Sequence, residues 1–199
     1  MTQKTLFIDW ELNETDETGF IQDYFREKKL PFTEQTMLDC LAQQNDKYEL
    51  YWAILALRMV GTARCIDPLK QVVTYPNLDV QGLSVMTIAQ FANGTENEFL
   101  AGLLLEKAFK AKWYAVWSFN FKADDKAVPY AITYGLKTIK SVKNISEVGC
   151  LIVEYLARFA PENEDSKKIF ARINKNFDDL PATEKEVFEG QFPNIFKRT

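Results

Sequence analysis

Five aromatic side chains crowd one short stretch of the chain, KAKWYAVWSFNFKADD, which spans residues 110–125. They are Trp113, Tyr114, Trp117, Phe119 and Phe121. Rings at this density can form a box that holds a planar or cationic ligand, or they can fill the core around a helix. Trp113 and Trp117 stand four residues apart and therefore share one face of a helix. The stretch poses two alternatives, a ligand site and a well-packed helix.

Histidine is absent from the 199 residues, and its absence removes several classes of reaction. No Ser-His-Asp or Cys-His nucleophile and no histidine general base can be assembled from this chain. Carboxylate, lysine and tyrosine chemistry remain open. The sequence contains no G-x-G-x-x-G, no GK[ST] and no G-x-S-x-G motif. It therefore predicts no catalytic residue, and a protein that is not an enzyme.

The three cysteines do not form a metal-binding or disulfide pattern. Cys40, Cys65 and Cys150 are odd in number, widely spaced and without a C-x-x-C pair. Without histidine, a zinc site of the usual nitrogen and sulfur type lacks ligands. We expect no metal and no cofactor, and cysteines that act as small buried apolar residues in a reducing compartment.

The charge balance bears on the class of partner. The chain has 24 Lys and Arg against 28 Asp and Glu, a net charge of −4. It lacks the strong positive field that duplex DNA or anionic lipid requires, so we expect no nucleic acid partner. A basic protein partner is favoured over an acidic one, although solubility alone explains the same charge. With neither a signal-peptide h-region nor a long apolar run, the chain is predicted to be cytoplasmic and not membrane-spanning.

Helix-start signals recur along the chain and predict an all-α fold. An N-cap residue followed three positions later by glutamate is a capping box, in which each side chain bonds an unpaired backbone N–H. The pairs are Asp46 with Glu49, Thr95 with Glu98, and Thr183 with Glu186. Gly61 follows the first of these helices at a position typical of a C-terminal cap.

The sequence also resembles itself at intervals of 31, 30 and 38 residues. Apolar residues fall into register when the segments are aligned on Trp52, Leu83, Trp113 and Leu151. The other matching sets are Ile54, Val85, Ala115 and Val153; Leu57, Ile88 and Leu156, with Ser118 in the third unit; and Val60, Phe91, Phe121 and Phe159. The register predicts four repeated units.

Two prolines support this period. Pro68 and Pro129 are 61 residues apart, as are Trp52 and Trp113, and each stands where a second helix would begin. Each unit is therefore a helix, a short turn and a second helix. The predicted pairs are 46–60 with 67–74, 80–92 with 96–110, 111–121 with 125–140, and 146–160 with 164–176.

Two segments carry a resemblance to a known superfamily. AVPYAITYGLK is similar to the start of a HEAT second helix, and ALRMVG is similar to the end of a first one. Residues 46–177 resemble the HEAT-like, armadillo-type helical repeats, although they lack the usual Asp and Arg between repeats. The resemblance implies a right-handed α-α superhelix of about four helix pairs, in which stacking neighbours supply the core.

We expect a single domain over residues 1–199, with atypical ends. Residues 1–45 comprise an acidic segment and a capping helical hairpin formed by GFIQDYFREKK and PFTEQTMLDCLAQQ. Residues 46–177 hold the repeats, and residues 178–199 form a C-terminal cap with an apolar tail. The acidic side chains at the start are Glu11, Glu14, Asp16 and Glu17, which suit either a basic partner or a solvated tail.

Candidate binding residues come from the third pair. In residues 127–140 an apolar stripe is formed by Val128, Ile132, Leu136 and Ile139. Tyr130, Tyr134 and Lys137 fall on another face, with the composition of an interface hot spot. We predict that these three and Trp117 contact a partner. Packing of the tyrosines against the next repeat is the equal alternative, and for Trp117 the two readings are also balanced.

Three functions follow from these features. The first is a non-catalytic protein-binding scaffold, and a narrower form of it is an immunity or antidote protein that covers a cationic toxin. The second resembles the HEAT-like DNA glycosylases for alkylated bases, with Trp113, Trp117 and Asp125 as the trio; the acidic chain disfavours it. The third is a structural or regulatory subunit.

Overall fold

The fold is built from helices. The computed structural model describes residues 17–44, 46–142 and 145–196, with the backbone alone for residues 17 and 18. Within these ranges there are eleven α-helices, three 3-10 turns and no β-strand, so the prediction of an all-α class is confirmed. The acidic segment predicted at the N-terminus, with Glu11, Glu14 and Asp16, lies outside the described residues.

The described helices are between 6 and 15 residues long. They are α1 (Glu17–Glu27), α2 (Glu34–Gln43), α3 (Lys47–Val60), α4 (Ile66–Val72), α5 (Leu78–Ala92), α6 (Asn97–Gly102), α7 (Lys112–Phe121), α8 (Val128–Thr138), α9 (Glu147–Phe159), α10 (Glu164–Asn174) and α11 (Ala182–Gln191). The 3-10 turns are Ala63–Cys65, Asp125–Ala127 and Phe177–Asp179. None of the helices in the described ranges has the length and apolar character needed to cross a membrane.

The chain divides into two compact units. The first comprises Met1–Glu96 with Ala108–Ala111, and the second comprises Asn97–Lys107 with Lys112–Thr199. Each unit has its own buried apolar side chains, exemplified by Ile54 and Val85 in the first and by Phe119 and Val153 in the second. The expectation of one domain over 1–199 stays a prediction.

In the first unit, α3 and α5 run parallel. The last turn of α3 meets the end of α5 where Gln90 Nε2 donates to the Arg58 carbonyl at 3.1 Å. At the other end, the first turns of both helices line one cleft, which includes Tyr48 from α3 and Asp79 from α5. One face of α3 is apolar, and its residues Leu50, Ile54 and Leu57 are fully buried. The cleft is therefore a product of tertiary packing.

A single buried side chain ties the segment 108–111 to this unit. Gln81 Nε2 donates to the carbonyls of Tyr75 at 2.9 Å and Ala108 at 3.1 Å. Its Oε1 accepts from the amides of Lys110 at 2.7 Å and Ala111 at 3.2 Å. The side-chain amide of Gln81 thus makes four hydrogen bonds, two as donor and two as acceptor. All four go to backbone groups that are not hydrogen-bonded within a helix.

In the second unit, α7 and α9 also run parallel. Trp113 Nε1 donates to Glu147 Oε1 at 2.7 Å near the start of both helices. Toward their ends, the rings of Phe119 and Tyr155 meet edge to face with centroids 5.0 Å apart. The helix α8 approaches α9 and α10 at Gly135, where an added Cβ would lie 2.8 Å from Ile169 Cδ1. A glycine at this position is what permits the close approach.

The predicted helix pairs agree with the structure except in one place. The helix expected over 96–110 ends at Gly102, and residues 103–111 form turns and irregular chain. The Lys112 ammonium donates to the carbonyls of Leu103 and Glu106, both at 2.7 Å. Because Gln81 also binds the backbone of residues 108–111, side chains satisfy the groups that a longer helix would have satisfied itself.

The capping predictions have mixed outcomes. The Asp46 side chain accepts from the amides of Tyr48 and Glu49, which confirms it as an N-cap. The prediction for Thr95 is wrong, because its hydroxyl donates to the Ala92 carbonyl of the preceding helix instead. The prediction for Thr183 is also wrong: α11 begins at Ala182, after Pro181, and no side chain caps it. Pro181 occupies the N-cap position, and Thr183 lies inside the first turn of the helix.

The repeat register predicts burial well. The sets that begin with Ile54 and with Leu57 are fully buried throughout, including Ser118, whose hydroxyl has no hydrogen-bond partner. The residues that align with Val60 are half-buried at helix ends. Both α4 and α8 begin after a 3-10 turn, which the side chains of Thr62 and Asp124 cap in the same way. Local structure therefore repeats along with the sequence.

Gly61 should not tolerate a side chain. Its φ of −76° is not left-handed, but a Cβ built on it would lie 2.4 Å from the Leu57 carbonyl oxygen. We expect Gly61→Ala to lower the free energy of unfolding by about 1–3 kcal/mol, measured by urea denaturation. Gly190→Ala is the control, since nothing lies within 4 Å of its added Cβ. Equal stability changes in the two variants would contradict the close contact.

Candidate functional site

Three rings stack in a row along α7. Trp113 and Trp117 lie parallel with centroids 6.0 Å apart and an interplanar angle of 11°. Trp117 and Phe121 follow with centroids 5.6 Å apart and an angle of 26°. These three residues, the ring row, are half-buried, whereas Phe119 on the opposite face is fully buried. The aromatic stretch thus divides into a core face and a face that solvent reaches.

The ring row is held in place by its neighbours. The Trp113 indole donates its N–H to Glu147 of α9, and the Tyr114 ring meets Trp113 edge to face at 5.2 Å. The spacing of i, i+4 and i+8 places Trp113, Trp117 and Phe121 on one side of the helix. Rings ordered in this way lose little conformational entropy when a ligand covers them.

The same geometry bears on the trio Trp113, Trp117 and Asp125. A planar base held between two rings needs a separation of about 7 Å, twice a carbon–carbon contact distance. The two indoles are already in stacking contact at 6.0 Å, so they leave no slot between them. Asp125 lies exposed in the 3-10 turn after α7. The row can present ring faces and edges to a partner, but it cannot clamp a base.

The helix α9, whose Glu147 contacts the ring row, carries two carboxylates on one face. Glu147 and Glu154 stand seven residues apart and share one helix face with half-buried Leu151, whose carbonyl accepts from Asn120 of α7 at 3.5 Å. Glu154 is half-buried, and this burial raises the pKa of its carboxyl, with Glu184 adding to the rise. Only the Arg158 guanidinium acts in the opposite direction on that pKa. On this face of α9 the carboxylates therefore outnumber Arg158, and one of them, Glu147, contacts the row.

The raised pKa of Glu154 predicts a pH-dependent stability. A carboxyl whose pKa is raised in the folded state loses stabilisation as pH rises from below its ordinary pKa through the raised value. Glu154→Gln mimics the neutral form, so its gain in unfolding free energy over the parent chain should grow between about pH 4 and pH 7. Urea titrations at both pH values measure it, with exposed Glu186→Gln as control. A gain that is equal at both pH values would contradict the assignment.

The predicted residues on α8 lie in other contacts. The Tyr130 hydroxyl donates to Glu98 Oε1 at 3.2 Å, and its ring lies against Gly102 of α6. This hydrogen bond raises the pKa of Tyr130. Burial raises the pKa of Tyr134, which is half-buried, while Lys137 is exposed. Trp117 therefore belongs to the α7 ring row, and Tyr130 belongs to the contact between α8 and α6.

The apolar stripe predicted on α8 is not its most buried face. Val128, Ile132 and Leu136 are half-buried, and of the stripe only Ile139, just after the helix, is fully buried. The fully buried positions within α8 are Ala131 and Gly135. Small residues occupy this face because α9 and α10 approach it closely, as the contact of Gly135 with Ile169 shows. Large apolar side chains are displaced to its flanks.

A second aromatic site lies in the first unit and was not predicted from the sequence. A cleft of about 520 Å³, here called the aromatic cleft, is lined by Lys47, Tyr48, Tyr51, Trp52, Asn77 and Asp79. Its only sequence signal is the segment YELYW, which places Tyr48, Tyr51 and Trp52 three and four residues apart on one helix face. That signal alone does not distinguish a cleft wall from core.

The cysteines offer no nucleophile. All three are buried, and burial raises the pKa of Cys65 and of Cys150 to about 12, and that of Cys40 above its ordinary value. A thiol in this state carries almost no thiolate at neutral pH. Within the residues that the structure describes, no three His, Cys, Asp or Glu side chains form a group that could hold a metal ion.

Comparison with known proteins adds nothing about this site. No protein-family model, no curated protein and no solved structure matches this chain. The ring row and the aromatic cleft are therefore the features of this chain that bear on its function.

Proposed function

We propose that this chain is a non-catalytic protein-binding module of the cytoplasm, and that the ring row on α7 is its principal contact surface. The observation that carries the proposal is the stack of Trp113, Trp117 and Phe121, which is ordered before binding and half-buried, so that solvent reaches part of it. Tryptophan dominates interface hot spots because one side chain buries a large area with few rotatable bonds. An ordered row of three rings concentrates that area in one place.

The charge beside the row favours a basic partner. Glu147 and Glu154 on α9 and Glu184 on α11 are acidic, against Arg158 alone in the interactions of Glu154. A half-buried carboxylate with a raised pKa gains most from a cation brought by a partner, since the partner offsets its desolvation. An immunity or antidote protein that covers a cationic toxin is the narrower form of this proposal.

The architecture proposed with this function is a right-handed superhelix of helix pairs, similar to HEAT-like repeats. Support comes from inside each unit. First helices run parallel in both, as α3 with α5 and α7 with α9, and second helices begin in both after a capped 3-10 turn. Such pairs bury their apolar faces by stacking on their neighbours.

Capture from the native host tests the proposed function. Tagged chain, its Trp117→Ala variant and a Phe20→Ala control are used as baits, and bound proteins are identified by mass spectrometry. Phe20 is 67% exposed on α1 and tests the loss of any exposed ring. We expect a stoichiometric basic protein with the parent and Phe20→Ala baits, and its loss with Trp117→Ala. Capture that is equal with all three baits, or recovery of nucleic acid alone, would contradict the proposal.

A further inference from the structure

The aromatic cleft of the first unit has walls from two parallel helices. The start of α3 supplies Lys47, Tyr48, Tyr51 and Trp52, and the start of α5 supplies Asn77 and Asp79. Tyr24 of α1 stacks on Trp52 with centroids 5.1 Å apart and an angle of 18°. The Tyr51 ring meets Trp52 edge to face at 5.7 Å. The indole is thus fixed on two sides, and it presents a rigid wall to the cleft.

One ring of the cleft already carries a cation. The Lys47 ammonium lies 4.8 Å from the centroid of the Tyr48 ring. Tyr48 is 65% exposed, so surrounding side chains do not force this contact. An ammonium or guanidinium within about 6 Å of an aromatic face is attracted by the ring quadrupole. The cleft therefore offers the chemistry that recognises organic cations.

The charges around the cleft decide between a cation and an anion. Two parallel helix starts would by themselves favour an anion. Here the Asp46 side chain already accepts two amides of the first turn of α3, and the Asn77 side chain accepts the Val80 amide in the first turn of α5. Asp46, Glu49 and Asp79 carry three formal negative charges against the two positive charges of Lys47 and of Lys28, which lies over the Tyr24 ring and acts on Asp46. The same field is felt at Tyr24, whose pKa is raised by burial and then by Glu49 and Asp46.

The size and rim of the cleft indicate what carries the cation. About 520 Å³ is the volume of a site for a drug-sized ligand or a short peptide, well beyond a lone ammonium group. An arginine or lysine side chain combines an apolar stem with a charged head, and so it matches the rings and the Asp79 carboxylate together.

We propose that the aromatic cleft binds an arginine or lysine side chain presented by a polypeptide partner. The guanidinium or ammonium group lies over the rings of Tyr48 and Trp52 and pairs with Asp79, displacing the Lys47 ammonium from Tyr48. The residues involved all belong to the first unit, and the ring row on α7 takes no part. A result that contradicts this site therefore leaves the proposed function of the ring row untouched, and the reverse also holds.

The indole N–H signals of the four tryptophans provide a site-resolved readout of binding by two-dimensional NMR. The Trp52 signal is assigned as the one missing from Trp52→Phe. Acetyl-Arg-Arg-amide is titrated into the full chain, in parallel with the neutral peptide that has citrulline in place of arginine. We expect the arginine peptide to shift the Trp52 signal saturably, and the citrulline peptide to leave it in place. Equal shifts with both peptides would overturn the proposal.

Variants then locate the cation. Tyr48→Leu and Asp79→Asn should each weaken arginine-peptide binding at least threefold, and Asp178→Asn in the second unit should leave it unchanged. Tyr48 and Asp79 are exposed, so both variants should keep the fold, as the remaining amide signals will show. Tighter binding of tetramethylammonium than of the peptide would make the ligand a small quaternary cation, and a larger response to inorganic phosphate would make it an anion. Either result would overturn the proposal.

Discussion

Replacement of Gln81 by leucine is expected to lower the free energy of unfolding by about 3–5 kcal/mol. The side chain of Gln81 is buried and bonds four backbone groups, two carbonyls and two amides. Leucine has a similar volume but no polar atom, so the four bonds to this side chain are lost, although the Tyr75 carbonyl still accepts from the Asn77 amide at 2.7 Å. Each unsatisfied buried group costs about 1–3 kcal/mol, and partial access of water to the segment 108–111 reduces the sum.

Two further variants make this prediction specific. Gln81→Glu keeps the oxygen that accepts from Lys110 and Ala111 but brings a second oxygen toward the Tyr75 and Ala108 carbonyls; its stability should therefore fall as pH rises. Gln35→Leu is the matched control because Gln35 is exposed on α2, and its cost should stay within about 0.5 kcal/mol. Urea denaturation measures all three. A Gln81→Leu variant as stable as Gln35→Leu would show that the bridge contributes nothing.

Trp117→Ala is expected to weaken partner binding by about 30-fold or more, which corresponds to the hot-spot threshold of about 2 kcal/mol. Trp117 is the middle ring of the row, in stacking contact with both Trp113 and Phe121. Its removal deletes the largest contact area and opens a gap in the row. Titration calorimetry with the captured partner measures the loss, and Phe20→Ala should leave the affinity unchanged.

The effect of Trp117→Ala on stability must be measured separately from its effect on partner affinity. Each lost ring pair costs about 0.5–1.5 kcal/mol, so Trp117→Ala should lower the melting temperature by a modest amount while the chain stays folded. Trp117→Phe keeps an aromatic ring on the same helix face and should recover most of the affinity. If Trp117→Ala melts at a much lower temperature and still binds at full affinity, Trp117 is a packing residue and the prediction for it is wrong.

The repeat register could be predicted from sequence because burial of apolar side chains repeats with the helix pairs. Ile54, Val85, Ala115 and Val153 align in the sequence and are all buried in the structure. Helix bounds were predictable where a capping side chain acts locally, as Asp46 does for α3. They were not predictable over 96–110, where the backbone is held by Lys112 and by a glutamine about 30 residues earlier in the chain.

The sites show the same division between local and distant causes. The helical spacing of Trp113 and Trp117 predicts one shared face, and the structure confirms that they stack. Trp113 is anchored by Glu147, which lies 34 residues away in the chain. No pattern in the sequence links the two residues. The aromatic cleft depends on the parallel packing of α3 and α5, which periodicity within either helix cannot reveal. Contacts between distant segments are what the sequence pattern leaves open.

Hydroxyl-radical footprinting of the captured complex tests the central claim most directly. The rates of side-chain oxidation at Trp113, Trp117 and Phe121 are compared between the chain alone and its complex, with exposed Phe20 as the internal control. If the ring row is the principal contact surface, the rates at Trp117 and Phe121 should fall several-fold on binding, and the rate at Phe20 should not change. Unchanged rates along the ring row, together with protection elsewhere, would contradict it.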